Sequence, residues 1–262
     1  ARQAAVQALC PGSDIAALLD KPNNNLAVEY CKAIIEQNVE MQPIALPRQG
    51  ADHGQALTES AHAAFASASA LRTLWAEGGA AALAPYVPEK ALKLYIMAEY
   101  DGKYTDFAVM GHCELALLRA ACAGQAPFAA VRGVSEGLEH RLENAVRETA
   151  SLPALLDALT TVRYPRARMR RLAMDAALGY TAQTPALPPY LHLLGARKET
   201  LPLPGETALP LSHSLARLAR ENETCAQMAA AQSRASDLGA LCRAKPEPMG
   251  GIYRQKIIFL TN

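Results

Sequence analysis

Apolar positions along this chain recur mostly every three or four residues, the spacing of one helical face, and only briefly form short continuous runs. Leu26, Tyr30, Ala33 and Ile34 fall on one such face behind Asn23, Asn24 and Asn25, which offer an N-cap and predict a helix to about Gln37. Met41 to Leu46 reads as a short buried strand bounded by Pro47. After a polar loop around Gly50 to Gly54, the stretch Leu57 to Ala76 is predicted helical, with a break near the small residues Ala66 to Ser69. Gly78, Gly79, Pro85 and Pro88 then mark the expected domain boundary.

Beyond it the pattern predicts helices over Glu89 to Met97, Phe107 to Cys122, Ser135 to Glu148, Leu152 to Leu159 and Pro165 to Leu178, each the length of one bundle helix. In the third of these, Ser135 is the expected cap and Leu138, Leu142, Ala145 and Val146 the buried face, opposite Glu139, Arg141, Glu143 and Arg147. Nearer the C-terminus, Tyr190 to Gly195 reads as a strand ending in a turn, and Ser214 to Arg220 and Cys225 to Arg234 return to helix. Ile252 to Phe259 reads as an edge strand or an extended tail. The fold class expected is mainly α with a small α/β part: residues 1–84 form one domain and residues 85–262 a helical one, with a short strand region near 188–210.

Composition supports a helical, well-packed chain, since half of its 262 residues are hydrophobic and aromatics are few. Twenty-six Lys plus Arg stand against 25 Asp plus Glu, so nucleic-acid binding would have to rest on a local basic face rather than on bulk charge. Cys10, Cys31, Cys113, Cys122, Cys225 and Cys242 are scattered, with no C-x-x-C pair and no zinc-ligand spacing. They read as reduced thiols of a cytoplasmic protein, and no metal site is expected. No run approaches the roughly 18 apolar residues that a membrane span needs. The chain starts at Ala1 without Met, which is the expectation for a fragment or a processed product.

Three groups of residues could carry chemistry. Ser67, Ser69 and Arg72 offer hydroxyls and a guanidinium at a helix N-terminus, where free N–H groups and the dipole attract phosphate; the plainer reading is a serine cap followed by a solvated arginine. Asn23 and Asn24 are either caps or amides that recognise a base or ribose edge, and Arg48 emerges between them and the serine cluster. Arg163, Arg166, Arg168, Arg170 and Arg171 form the densest basic cluster, with Tyr164 beside them. On a helix from Pro165, Arg168 and Arg171 share one face and Arg166 and Arg170 an adjacent one. That surface suits a phosphate backbone, or else it faces the acidic helix near Glu136 to Glu148. His140 on that helix reads as structural, and His112, in Gly111-His112, as a helix residue.

The order of several short motifs resembles the bacterial tRNA(Met) cytidine acetate ligases of the nucleotidyltransferase superfamily. The matching stretches are Lys21-Pro22-Asn23-Asn24 with Tyr30, Ala66 to Arg72, Glu136-Gly137-Leu138-Glu139-His140-Arg141, Arg163-Tyr164 with Arg168 and Arg171, and Pro189 to Gly195. The resemblance implies an enzyme that activates acetate with ATP as acetyl-adenylate and passes the acetyl group to N4 of the wobble cytidine of elongator tRNA(Met). It implies that Asn23, Arg48, Ser67, Ser69 and Arg72 meet ATP and that the arginine cluster meets tRNA(Met). ATP is then a substrate, with magnesium as an open companion and no tightly bound cofactor.

Such enzymes begin with a Rossmann-like strand and a His-x-Gly-His loop, which the 262 residues do not contain. The expectation is therefore the C-terminal portion of a family member: a remnant of the nucleotidyltransferase domain followed by a helical tRNA-binding domain. Its first partner would be the N-terminal segment of the same protein, and its catalytic residues are left unassigned. Two rivals stand beside it, a helical RNA-binding module without activity and a scaffold whose serine motif is only a cap.

Overall fold

A computed structural model describes residues 2–19, 21–46, 66–200 and 207–260. The chain divides into two compact units, Ala1–Thr73 and Leu74–Asn262. The first holds α1 (Arg2–Leu9), α2 (Ile15–Leu18), α3 (Pro22–Glu36) and the start of α4 (Ala68–Gly78). α3 ends where its periodicity does, but its cap is Lys21, with Pro22 in the first turn, rather than an asparagine. Asn25 instead turns its amide back, donating to the carbonyls of Leu19 (2.7 Å) and Lys21 (3.3 Å).

The expected strand at Met41 to Leu46 does not form: these residues carry no ladder and are exposed, Ile44 at 81% and Leu46 at 87%. Pro43 lies in the middle of the run and has no N–H to give a neighbouring strand, so the apolar composition alone did not make a central strand. Leu26 and Tyr30, expected on the buried face of α3, are also more than half exposed. An apolar stripe becomes a buried face only where a second layer covers it. The predicted helix start at Leu57 and Arg48 lie outside the described residues.

The second unit holds the greater part of the core. It runs from the end of α4 through a 3-10 turn (Ala80–Leu83) to α5 (Glu89–Tyr100), α6 (Phe107–Ala121), α7 (Leu138–Glu148), α8 (Leu152–Leu159) and α9 (Arg166–Ala177). Each of the four predicted helices between Phe107 and Leu178 is present within three residues of its expected ends. Asp106 caps α6 through the N–H groups of Ala108 (2.8 Å) and Val109 (3.1 Å), and Ser151 caps α8 through that of Ala154 (3.3 Å). α7 differs: its cap is Gly137, left-handed at φ +79°, so the chain enters through a backbone turn and Ser135 makes no cap. Leu118, Phe128, Leu142, Val146, Leu155 and Met169 are fully buried where α6, α7, α8 and α9 meet. Fully burying one such side chain is worth about 1.5–3 kcal/mol.

The remainder is β1 (Leu191–His192), β2 (Gly195–Arg197), a 3-10 turn (Lys198–Thr200), β3 (Leu211–Ser212), α10 (Leu215–Leu218), α11 (Glu223–Leu241), α12 (Gly251–Arg254) and β4 (Ile258–Leu260). β1 pairs in parallel with β3, and β2 with β4, Ala196 opposite Phe259. The predicted strand over Tyr190 to Gly195 is therefore split between two small sheets. The predicted tail is a short helix followed by the strand β4. α11 runs seven residues past the expected Arg234, carried by burial of Leu238 and Ala240.

Among the described residues the core holds one carboxylic acid. Glu114 of α6 is 2% exposed, and its Oε1 has no hydrogen-bond partner among the described residues. Burial raises its carboxyl from the ordinary 4.5 to about 7, against an opposing pull from Arg170 of α9. Between those two pH values the folded chain keeps a proton that the unfolded chain has released, so stability falls as pH rises from about 4.5 to about 7 and is flat above. Glu114→Gln is expected to remove this fall, giving a variant less stable relative to wild type at pH 4 than at pH 8. Paired thermal melts across that range check it, and parallel curves would show that Glu114 ionises freely.

Candidate functional site

Two helix starts in the first unit carry the residues expected to meet a nucleotide. Asn23 is exposed in the first turn of α3, and Asn24 beside it is half-buried. At the start of α4 the hydroxyls of Ser67 and Ser69 lie 3.0 Å apart. Ser67 Oγ accepts from the Ala70 N–H at 3.2 Å, the geometry of an N-terminal cap. Arg72 is exposed one turn further on. The structure thus brings the two serines together and leaves an exposed guanidinium on the same helix, an arrangement that can receive an anion at a helix N-terminus.

The basic cluster lies in the second unit, and its members differ. Met169, Leu172, Ala173 and Ala176 turn the inner face of α9 into the core, so the arginines occupy its outer faces. Arg163 forms an ion pair with Glu136, and Arg166 one with Asp157. Both pairs are between exposed side chains, where such contacts are worth about 0–1 kcal/mol. Arg168 lies over the Tyr164 ring (5.1 Å to its centroid) and reaches Ser135 Oγ at 3.4 Å; Arg163 also lies against that ring, at 5.7 Å. Arg170 and Arg171 are exposed. Part of the cluster therefore faces the acidic residues of the Glu136 to Glu148 segment and of α8, as the plainer reading anticipated. The rest is Arg168, stacked on Tyr164, with Arg170 and Arg171 exposed on α9.

The two motifs that flank this cluster meet in space. Glu136, Gly137, Arg141, Asn144 and Glu148 from one side, and Tyr164 from the other, line a cavity of about 460 Å³. Sequence reading did not single out Asn144 or Glu148. The available signal was their spacing from Arg141, three and seven residues on, which repeats one helical face. Glu114 was also missed, though it stands four residues before Leu118 at an apolar phase of α6. His140 is exposed, with Nε2 3.8 Å from Glu139 Oε1, and His112 lies within α6 with Nδ1 2.9 Å from the Ala108 carbonyl.

A second cavity, also about 460 Å³, lies where the Pro189 to Gly195 motif meets α11 and is lined by Tyr180, Pro188, Tyr190, His192, Met228 and Gln232. Tyr190 donates to Gln232 Oε1 at 2.8 Å, and burial pushes its phenol up to about 12. Among the described residues no group of His, Cys, Asp or Glu could hold a metal ion, and no helix is long and apolar enough to cross a membrane. All six cysteines are free.

The arrangement of helix starts followed by a helical unit places the chain in a class with solved folds. Two crystal structures of Thermotoga maritima TmcAL superpose on 94% of the chain and 62% of their own length. One is apo (TM-score 0.79, 20% identity) and the other is bound with alpha-thio ATP (TM-score 0.77, 18% identity). The profile of the HIGH Nucleotidyl Transferase family matches residues 1–249, and the chain belongs to that family. Among its curated relatives is the tRNA(Met) cytidine acetate ligase of Listeria monocytogenes serotype 4b (strain CLIP80459), 31% identical over 183 residues, which are 69% of this chain and 45% of the relative. The ligase of Geobacillus sp. (strain WCH70) is 28% identical over 207 residues. The chain spans about half the length of these curated relatives.

The cap geometry gives a direct expectation. Ser67→Ala should lower stability by roughly 0.5–2 kcal/mol through loss of the Ala70 N–H acceptor, and Ser69→Ala by less. Urea denaturation compares the two, and equal midpoints would show that Ser67 does not cap α4.

Proposed function

We propose that this chain serves an ATP-dependent, tRNA-modifying ligase reaction, the activation of acetate as acetyl-adenylate and its transfer to N4 of the wobble cytidine of elongator tRNA(Met). The observation that carries the reading is the match to the HIGH Nucleotidyl Transferase family over residues 1–249, with relatives that bear the ligase name. In this reading residues 1–84 are the C-terminal part of a Rossmann-like nucleotide domain, completed by an N-terminal segment of the same protein, and residues 85–262 bind tRNA. A Thermotoga maritima structure bound with alpha-thio ATP supports ATP as the nucleotide. Magnesium accompanies the triphosphate.

Each residue then has a physical task. Ser67, Ser69 and the open N–H groups of α4 receive phosphate oxygens, and Arg72 adds a charge-assisted bond. Asn23 offers both a donor and an acceptor to the base or ribose, and Arg48 a second guanidinium to the nucleotide. Arg163, Arg166, Arg168, Arg170 and Arg171 follow the RNA backbone. The exposed pairs of Arg163 and Arg166 are weak enough for a phosphate to replace the carboxylate. One observation favours a second reading, a non-catalytic RNA-binding module: the Ser67 hydroxyl is already committed to its own helix.

Calorimetric titration of ATP into the protein completed by its N-terminal segment tests the first reading. Asn23→Ala, Arg48→Ala and Arg72→Ala should each weaken binding by roughly 1.5–3 kcal/mol, the cost of a hydrogen bond to a charged group, with melting unchanged. A completed protein that binds tRNA but no ATP would support the second reading. For the RNA surface, replacing Arg168 and Arg171 together should flatten the slope of log affinity against log salt by roughly 1–2. Filter binding over a salt series measures it, and an unchanged slope would place the RNA elsewhere.

A further inference from the structure

Ser135, Glu136 and Gly137 form the turn that leads into α7, and part of it is held in a backbone region that side chains rarely adopt. Glu136 lies at φ +56° and Gly137 at φ +79°, and Gly133, two residues before Ser135, is also left-handed at φ +80°. Glycine enters that region freely, whereas glutamate seldom does. The α7 cap is Gly137, so the helix itself does not need a glutamate at the position before it. No atom stands within 4 Å of where a Cβ would lie at Gly133 or Gly137, which leaves room around the turn.

The turn sets two consecutive acceptors on two arginines. The Glu136 carboxylate forms an ion pair with Arg163, and the Ser135 hydroxyl accepts from Arg168 at 3.4 Å. Both guanidiniums lie against the Tyr164 ring, 5.7 and 5.1 Å from its centroid. Tyr164 is itself fixed, since it packs against the core of α6 to α9 and its N–H and carbonyl close a turn with Thr161 at 3.0 Å each. The two arginines are thus a pre-set fork, already filled by a carboxylate and a hydroxyl. An RNA phosphate offers the same set, an anionic oxygen for one guanidinium and a second oxygen for the other. The seat is open to exchange, because 69% of the Arg163 side chain and 57% of that of Glu136 are exposed.

We propose that the Ser135–Glu136 turn is an internal stand-in for a backbone phosphate, an autoinhibitory contact that RNA displaces when it takes the fork of Arg163 and Arg168. Glu136 then lowers RNA affinity, and its removal strengthens binding. The proposal rests on the reading that these arginines hold RNA backbone. An ion pair that served only to fasten the turn would act in the opposite direction, since losing the carboxylate would release Arg163 and loosen the entry to α7.

Filter binding of elongator tRNA(Met) to the protein completed by its N-terminal segment, over a salt series, is the test. Glu136→Gln should bind roughly two- to fivefold more tightly than wild type, the scale on which an exposed ion pair acts. Its slope of log affinity against log salt should steepen by up to about one. Glu136→Gly removes the same carboxylate and relieves the left-handed backbone, so it should show the same gain without loss of melting temperature. In an Arg163→Ala background neither substitution should change affinity, because the seat they clear is gone. Unchanged or weakened binding in either Glu136 variant, while Arg168→Ala with Arg171→Ala still weakens it, overturns the stand-in and leaves the backbone surface in place. A gain that survives in the Arg163→Ala background belongs to bulk charge and also overturns the stand-in. Affinity unmoved by both the Glu136 and the arginine substitutions overturns the backbone surface itself.

Discussion

Burial of Leu118, Leu142, Leu155, Leu159 and Met169 where four helices meet determines where the charges of the second unit stand. Close packing allows these helices few relative orientations, because their apolar stripes must interdigitate. Once Met169, Leu172 and Ala176 of α9 are committed inward, its arginines have only the outer faces left. The same constraint sets Arg141, Asn144 and Glu148 along the open side of α7 while Leu142, Ala145 and Val146 go into the core. Charge placement here follows from the apolar seam.

The polar groups inside or beside that seam are those not fully paired. Glu114 is buried with an oxygen left over, and Arg141 with a nitrogen left over. Each costs stability, and at Glu114 the cost is relieved by keeping the proton. At Arg141 no such relief exists, because a guanidinium does not deprotonate. That asymmetry leaves the Arg141 Nε–H an uncompensated cost of the packing, whereas Glu114 reads as a pH-dependent element of the core.

Elsewhere polar pairs tie segments that are distant in sequence. Glu99 shows how: it accepts from Trp75 Nε1 at 2.9 Å and from the Ala80 N–H at 3.1 Å, fixing the 3-10 turn while Trp75 packs beside Tyr95. Arg132 plays a similar part further on, holding Asp175 with two bonds of 2.9 and 3.1 Å and lying over Tyr180. In the first unit, by contrast, α3 keeps Leu26 and Tyr30 exposed, and Asn25 is engaged with the turn before it.

The sequence by itself determined the helices of the second unit, because their apolar spacing, Asp106, Ser151 and the prolines at 153 and 165 are local signals that act within one or two turns. It also placed the chain in the nucleotidyltransferase superfamily through motif order, which the HIGH Nucleotidyl Transferase profile over residues 1–249 bears out. What it could not determine depended on distant partners. Met41 to Leu46 had the composition of a strand but pairs with no strand among the described residues, while β2 and β4 pair across some sixty residues that no local pattern links. α7 took a left-handed glycine as its cap because the chain arriving at Gly137 was already committed to a turn with Glu136 at φ +56°. Only the tertiary structure set Tyr164 opposite Asn144 and Glu148, since a cavity lined by one helix and by the connection between two others is a property of their packing and not of any one segment.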